Sequence, residues 1–213
     1  MQSPWRARWV KPVVFVLSLV PLALLVINGF RGALTANPIE YITRWTGDWT
    51  MRFLLITLAI TPTRRLFSQP DLIRFRRMLG LFAFFYGVLH LTTWLWLDKF
   101  FDLHEMWADI VKRRFITMGM LGFLSMVPLA ITSTTGWIRR LGGKNWQLLH
   151  RLIYVSALAG VIHYLWLVKS DIRMPALYGI ILTALLLLRP ISQRVMALAA
   201  AQKTRAAKPV AAR

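Results

Sequence analysis

Charged residues divide the chain into long apolar runs. Five runs of 15 to 24 residues lack Asp, Glu, Lys and Arg, and they are residues 12–30, 78–97, 115–138, 152–168 and 174–188. An α-helix needs about 20 residues to cross the hydrocarbon of a bilayer, with roughly 17–25 as the usual range. The shortest run reaches this length if Arg173 and Arg189 extend their charged ends to the two interfaces. The pattern therefore predicts five membrane-spanning helices.

A sixth run, residues 53–63, is shorter and lies between Arg52 and Arg64. It crosses a bilayer only if its helix begins near Trp45, which brings Asp48 and Arg52 into the first turns. These two charged residues are four positions apart, so they can pair on one face of a helix. The sixth span is the weakest of the set on composition alone.

The distribution of positive charge favours the sixth crossing. With six spans and a cytoplasmic N-terminus, the cytoplasmic segments carry 18 of the 27 Lys and Arg residues. Lys and Arg collect on the cytoplasmic side of membrane proteins, whereas five spans would leave the arginines of residues 64–77 outside. The predicted fold is therefore an all-α membrane protein, a six-transmembrane-helix bundle that binds its cofactor between helices, with both termini cytoplasmic.

Three parts are predicted along the chain. They are a cytoplasmic N-tail at residues 1–11, the transmembrane domain at 12–190 and a basic cytoplasmic C-tail at 191–213. The first apolar run is long for the core of a signal peptide, so we interpret it as an uncleaved span. The sequence from Ala197 is rich in Ala, Lys and Arg and is expected to fray.

Composition agrees with a membrane protein and excludes several kinds of site. The chain is 57% hydrophobic and has a net charge of +19, which is typical of apolar residues facing lipid and basic residues at the membrane surface. No nucleic-acid partner is expected. The sequence has no Cys, which excludes disulfides, zinc–thiolate sites and iron–sulfur clusters on Cys ligands. No glycine-rich nucleotide fingerprint is present, so four histidines remain as candidate metal ligands.

Two of these histidines lie at matching depth in the predicted bundle. His90 is residue 13 of the third span and His163 is residue 12 of the fifth, and both spans run from the cytoplasm outward. A coordinating residue at membrane depth is costly and indicates function. Imidazole suits iron, so the pair predicts a haem b gripped between the two helices. The alternative is that each His only forms a hydrogen bond to a neighbouring helix.

The other two histidines lie nearer the membrane surface. His150 precedes His163 by 13 residues, which is about 20 Å along a helix, so the two cannot share one iron. His150 can ligate a second haem, contact a propionate, line a quinone pocket or be an ordinary interfacial residue beside Arg151. His104 follows the charged segment 98–102 and is expected in a solvated loop.

Basic and small residues near the histidines have ordinary explanations as well. Arg76, Arg77 and Arg151 can pair with haem propionates or a flavin phosphate, although the positive-inside distribution explains most of them. Gly119 and Gly122 are expected to serve helix packing rather than chemistry.

Three stretches of the sequence resemble a known family. They are ITPTRR at 60–65, RRMLGLFAFFYGVLHL at 76–91 and the segment 131–171, which contains QLLHRLIY and HYLW. They resemble the MsrQ family, also called YedZ, which comprises the haem-binding membrane subunits of bacterial periplasmic methionine-sulfoxide reductase systems. The family belongs to the ferric-reductase-like transmembrane group. The similarity runs from about residue 13 to residue 190.

The resemblance implies cofactors, partners and site residues. Such proteins carry b-type haem, are associated with FMN and lie in the bacterial inner membrane. They pass electrons from the quinone pool or a cytosolic flavin reductase to a periplasmic molybdopterin subunit, MsrP, which reduces methionine sulfoxide in envelope proteins. The family's histidines correspond to His90, His150 and His163, and its arginine before the third span corresponds to Arg77. One haem is expected, or two if His150 is also a ligand.

The sequence thus predicts a transmembrane electron-transfer subunit with no substrate chemistry of its own. The outer segments 31–48 and 98–114 are the expected docking surfaces for the partner. One alternative is a ferric reductase or NADPH-oxidase-like haem protein that acts without MsrP. Another, from a different class, is a cofactor-free membrane transporter or assembly factor, which would be colourless.

Overall fold

The described part of the chain, residue 5 and residues 7–207, folds almost entirely into α-helix and contains no strand. In this computed structural model the side chains of residues 195 and 199–207 are not described. The helices are α1 (Val10–Phe30), α2 (Pro38–Leu66), α3 (Ile73–Thr92), α4 (Leu103–Lys112), α5 (Arg114–Ile131), α6 (Thr135–Leu141), α7 (Gly143–Leu149), α8 (Leu152–Leu167) and α9 (Arg173–Ala207). A 3-10 turn (Pro70–Leu72) precedes α3, and a π-helical turn (Thr93–Asp98) continues it.

Five segments are long and apolar enough to cross a membrane. They are Val10–Phe30, Pro70–Asp98, Arg114–Ile131, Gly143–Leu167 and Arg173–Leu198. In the most apolar 18-residue stretch of each segment, at most a third of the residues are buried inside the protein. Large apolar side chains such as Val16, Leu124 and Ile180 are therefore exposed on the outside of the bundle. An outer surface made of apolar side chains is typical of helices that face lipid. The prediction of an all-α multi-pass membrane protein is therefore confirmed.

The helix α2 stands apart from these five because of its charges. It has 29 residues, which is about 44 Å of helix, and begins at Pro38, earlier than the predicted start near Trp45. Charged side chains occupy every fourth position of its first half: Glu40, Arg44, Asp48 and Arg52. The predicted pairing of Asp48 with Arg52 is present at 4.0 Å. Whether α2 forms a sixth span stays a prediction.

Three sequence-based boundaries are corrected by the structure. In the apolar run 115–138, the helix ends at Ile131 rather than at residue 138. The hydroxyls of Thr132 and Ser133 donate hydrogen bonds back to carbonyls of α5, and the Thr134 side chain caps the next helix, α6. The helix α9 continues to Ala207 instead of fraying from residue 197. His104 is exposed, but it lies in α4 and not in a loop. Residues 1–4, 6 and 208–213 of the predicted tails lie outside the described residues.

Close packing of α2 on α3 forms the centre of the bundle. The rings of Phe53 and Phe82 stack at 5.7 Å, and those of Phe53 and Tyr86 stack at 5.3 Å. Tyr86 is fully buried, and its hydroxyl donates to the Ser18 carbonyl oxygen at 2.9 Å, which ties α1 to α3. Helices in lipid associate through such contacts and hydrogen bonds, since lipid tails are as apolar as the side chains.

The two ends of the bundle differ in charge. We call one the basic end: it comprises the C-terminus of α2, the N-terminus of α3, residues 132–151 and α9 from Arg189 onward. The opposite end comprises residues 31–37, 99–113 and 168–172. The described part of the basic end holds most of the arginines, whereas most of the carboxylates lie in α2 or at the opposite end.

At the opposite end, a network of ion pairs joins α4 to Lys99, which precedes it in sequence. Lys99 Nζ lies 2.9 Å from Asp109 Oδ2 and 3.5 Å from Glu105 Oε2, and its side chain is only 11% exposed. Asp109 is buried and also accepts from Arg113 Nε at 3.2 Å. The hydrogen bond that Lys99 donates to Asp109 is the main reason why the pKa of Lys99 is raised above its usual value of 10.5.

Lys99→Met is expected to lower the melting temperature of the detergent-solubilised protein by roughly 5 °C or more, because it leaves the buried Asp109 carboxylate with one partner. A raised pKa stabilises the folded state below the unfolded value and loses that effect as the pH rises through the folded value. The difference between wild type and variant should therefore be constant at neutral pH and shrink above pH 10.5. Lys112→Met, at an exposed position at the end of α4, is the control. An equal effect of both substitutions would refute this assignment.

Candidate metal-binding site

The bundle brings the rings of His90 and His163 close together. His90 is on α3 and His163 is on α8, and their ring centroids are 6.0 Å apart with the ring planes at 81°. Both side chains are partly buried. The structure thus unites the two histidines that the sequence placed at one depth.

Each of these histidines is held by the same kind of hydrogen bond. His90 Nδ1 lies 2.9 Å from the carbonyl oxygen of Thr43 on α2, and His163 Nδ1 lies 2.6 Å from the carbonyl oxygen of Phe115 on α5. A carbonyl only accepts, so Nδ1 of each ring carries the proton. Nε2 of each ring is then the unprotonated nitrogen, free to bind a metal. A metal-bound His usually donates its other N–H in this way.

A glycine stands four residues after each of the two carbonyls. A Cβ on Gly47 would lie 3.0 Å from Cε1 of His90, and a Cβ on Gly119 would lie 2.8 Å from Nδ1 of His163. Side chains four residues apart share a helix face, so a larger residue would cover the carbonyl that the ring must reach. Gly119 thus lies where α8 packs closely on α5, at the ring of His163. The α2–α3 pair and the α5–α8 pair therefore contain two copies of one arrangement.

The distance between the rings fits one shared metal atom. Imidazole nitrogens bind metals at about 2.0–2.1 Å, so two nitrogens on opposite sides of one atom are about 4 Å apart. Ring centres lie farther apart than the nitrogens, in agreement with the observed 6.0 Å. Among the described residues, no group of three or more His, Asp or Glu side chains can hold a metal ion. A metal held between His90 and His163 would need further ligands, and a haem supplies them to its iron.

His150 lies away from this pair, at the C-terminal cap of α7. Its Nδ1 is 3.0 Å from the Trp146 carbonyl oxygen, and its ring stacks on the Trp146 ring at 3.7 Å. Its Nε2 is buried and has no hydrogen-bond partner in the described part of the chain. An unpartnered nitrogen fits a second ligand site, although the stacked tryptophan fits an interfacial residue equally well.

The arginines carried over from the resemblance lie at the basic end. Arg77, in the first turns of α3, and Arg151, between α7 and α8, are both exposed. Arg77 is 13 residues from His90, or about 20 Å along the helix. The side chain of neither arginine forms a hydrogen bond or ion pair among the described residues. The structure does not bring them to the His90–His163 pair.

Comparison with known proteins identifies relatives over most of the chain. The family described as ferric reductase like transmembrane component matches residues 46–161, which include His90 and His150. A curated relative from Herminiimonas arsenicoxydans, named protein-methionine-sulfoxide reductase heme-binding subunit MsrQ, is 54% identical over 88% of this chain and 87% of its own. Relatives of the same name from Caulobacter vibrioides and Rhodospirillum rubrum are each 50% identical. They cover 83% and 86% of this chain, and 84% and 88% of their own lengths. The chain therefore belongs to the MsrQ family of membrane subunits, within the ferric-reductase-like transmembrane proteins.

Proposed function

We propose that this chain is the haem-binding membrane subunit of a protein-methionine-sulfoxide reductase system. It passes electrons across the bacterial inner membrane through a b-type haem to the periplasmic molybdopterin reductase MsrP. One observation carries the proposal. The rings of His90 and His163, on two different membrane-spanning helices, have centroids 6.0 Å apart, a distance that suits two ligands of one iron atom. Nδ1 of each ring is bonded to a backbone carbonyl.

Each residue of the site has a separate role in this proposal. A haem bound there supplies one-electron transfer at iron. His90 and His163 would both hold the iron of that haem, and ligation by two histidines would suit electron transfer. The carbonyls of Thr43 and Phe115 fix the orientation of each ring and raise its basicity. Gly47 and Gly119 give the rings access to those carbonyls.

Electrons enter at the basic end, which faces the cytoplasm in a six-span topology with both termini inside. The donor is the quinone pool or a cytosolic flavin reductase. His150, Arg151 and Arg77 belong to this entry side, where His150 ligates a second haem or contacts an anionic group of a cofactor. FMN, the flavin of the proposal, would be bound at the same end.

Electrons leave at the opposite end, which carries the loop of residues 31–37 and the helix α4. His90 lies at residue 18 of the 20 in α3, so the haem site is close to this end. MsrP docks there in the proposal, since electron transfer between the proteins requires a short path. The mixed charges of α4 would steer it weakly at physiological salt.

Anaerobic reoxidation of the haem tests the proposed acceptor. The purified chain, reduced by a quinol, is mixed with MsrP and methionine sulfoxide, and the b-type absorbance is followed. We expect reoxidation only when both are present, and none when methionine replaces its sulfoxide. A haem that MsrP leaves reduced would contradict the proposal.

A second candidate function is a ferric reductase that acts without MsrP, and the match to the ferric reductase like transmembrane component favours it. The same assay separates the two. Rapid reoxidation by a ferric chelate or by air, unchanged when MsrP is added, would replace the first function by the second. A colourless purified protein made with ample haem would exclude both and favour a transporter or assembly factor.

A further inference from the structure

Four arginines gather at the basic end of the bundle, where α2 and α9 approach α3. They are Arg64, Arg65, Arg76 and Arg189. Arg64 lies within electrostatic range of Arg76, and Arg189 lies within range of both Arg65 and Arg76. All four side chains are partly buried. Like charges at such range repel one another, so the cluster is costly unless an anion is present.

The guanidinium groups of this cluster have unused donors. Arg64 Nε, Arg65 Nη1 and Arg189 Nε are buried and have no hydrogen-bond partner among the described residues. Arg189 is held in place by the Tyr154 hydroxyl, over whose ring it also lies at 4.8 Å, and by the Leu58 carbonyl oxygen at 3.4 Å. Buried charged donors without partners are rare in folded proteins because each costs free energy. The arrangement is therefore complete only with an acceptor.

The ion pairs seen among the described residues lie in the first half of α2, around α4 and at Arg173, away from this cluster. An anion from outside the chain would supply the acceptor. Guanidinium groups match the paired oxygens of a phosphate in geometry and charge.

A cleft of about 360 Å³ opens beside two of the four arginines. Its lining residues are Arg64, Arg65, Ser68, Pro70 and Met196. The Ser68 hydroxyl is exposed and adds a neutral donor to the charged ones. Leu66 and Phe67, which precede Ser68 in sequence, are exposed apolar side chains at the surface of the bundle.

We propose that Arg64 and Arg65, supported by Arg189 and Arg76, bind the phosphate group of an anionic membrane phospholipid at the basic end. Ser68 donates a further hydrogen bond to the phosphate, and the acyl chains lie along the apolar surface near Leu66. The site is distinct from the His90–His163 pair and does not depend on the proposed electron-transfer function, so the two can fail separately.

Thermal melting in mixed micelles tests the site on the full-length chain. Wild-type protein in dodecyl maltoside is titrated with phosphatidylglycerol, with phosphatidylcholine as the uncharged comparison. We expect saturable stabilisation by phosphatidylglycerol, which the double substitution R64Q/R65Q should weaken by roughly 10- to 100-fold in half-maximal concentration. The pair R139Q/K144Q, which removes the same charge from exposed positions at this end, should leave the titration unchanged.

Two further measurements keep the test decisive. R64K/R65K retains the charge and loses the planar fork, so a folded protein with weakened lipid binding is expected even if R64Q/R65Q does not fold. FMN fluorescence is titrated in parallel. Equal titrations of R64Q/R65Q and wild type would overturn the proposal. The proposal would also be overturned if the wild type bound FMN tightly, R64Q/R65Q did not, and the lipid titrations of the two were the same. The phosphate at this site would then belong to a flavin. Loss of haem from a folded R64Q/R65Q would also overturn it, since the acceptor would then be a propionate.

Discussion

His90→Ala and His163→Ala are each expected to lose the same haem, and the double substitution is expected to lose no more than either single one. The physical reason is that, in the proposed site, both imidazoles would bind one iron, so removal of either ligand would already release the cofactor or leave it weakly held. The measurement is the oxidised-minus-reduced optical spectrum of the purified proteins, with haem counted per chain. This is the largest effect that we expect from any substitution in the protein.

The control for this series is His104→Ala, because His104 is exposed on α4 and should leave the spectrum unchanged. His150→Ala shows whether a second haem exists: it should lose either no haem or a haem different from that of the other two variants. A double substitution at His90 and His163 that loses twice as much haem as each single one would contradict a shared iron.

Gly119→Ala is expected to lower the affinity for haem by about 10–100-fold although alanine adds a single methyl group. That methyl carbon would lie 2.8 Å from Nδ1 of His163, so the ring must move away from the Phe115 carbonyl oxygen. The loss of this hydrogen bond removes the restraint on ring orientation and proton position. Gly47→Ala should act in the same way on His90, where the contact is 3.0 Å.

The matched control is Gly80→Ala on α3, where the new methyl group would be 3.6 Å from a methyl group of Thr57, an ordinary contact. Haem content, the reduction potential of the haem and melting temperature are compared for all three variants. A merely structural glycine would lower the melting temperature without changing the potential of the haem that remains. Normal haem content and potential in Gly119→Ala would show that the ring does not depend on this glycine.

The depth of the two histidines was predictable from the sequence, and the way they are supported was not. Apolar runs and the positive-inside distribution place His90 and His163 at one level, because helix rise converts residue number into depth. The partners of their Nδ1 atoms are backbone carbonyls, which every residue has. The contacts of Gly47 and Gly119 with the two histidines could not be predicted from the sequence, because they depend on how α2 packs on α3 and α5 packs on α8.

Some helix boundaries could likewise be predicted from the sequence and others could not. Charge marks where an apolar run stops, so α1 and α8 were placed within two residues. The end of α5 was missed because Thr132 and Ser133 count as uncharged, yet their hydroxyls compete for backbone carbonyls. The full length of α2, 29 residues, was not predicted because its first half is charged. Those charges form ion pairs with one another along one face of the helix.

Electron paramagnetic resonance of the oxidised protein tests the central claim, that His90 and His163 hold one haem iron, most directly. Two axial imidazoles produce low-spin ferric iron, so a low-spin signal is predicted for the wild type. That signal should be absent from His90→Ala and from His163→Ala, and replaced by a high-spin signal wherever haem is retained. A wild-type spectrum with high-spin iron alone, or a low-spin signal that survives intact in both variants, would contradict the account.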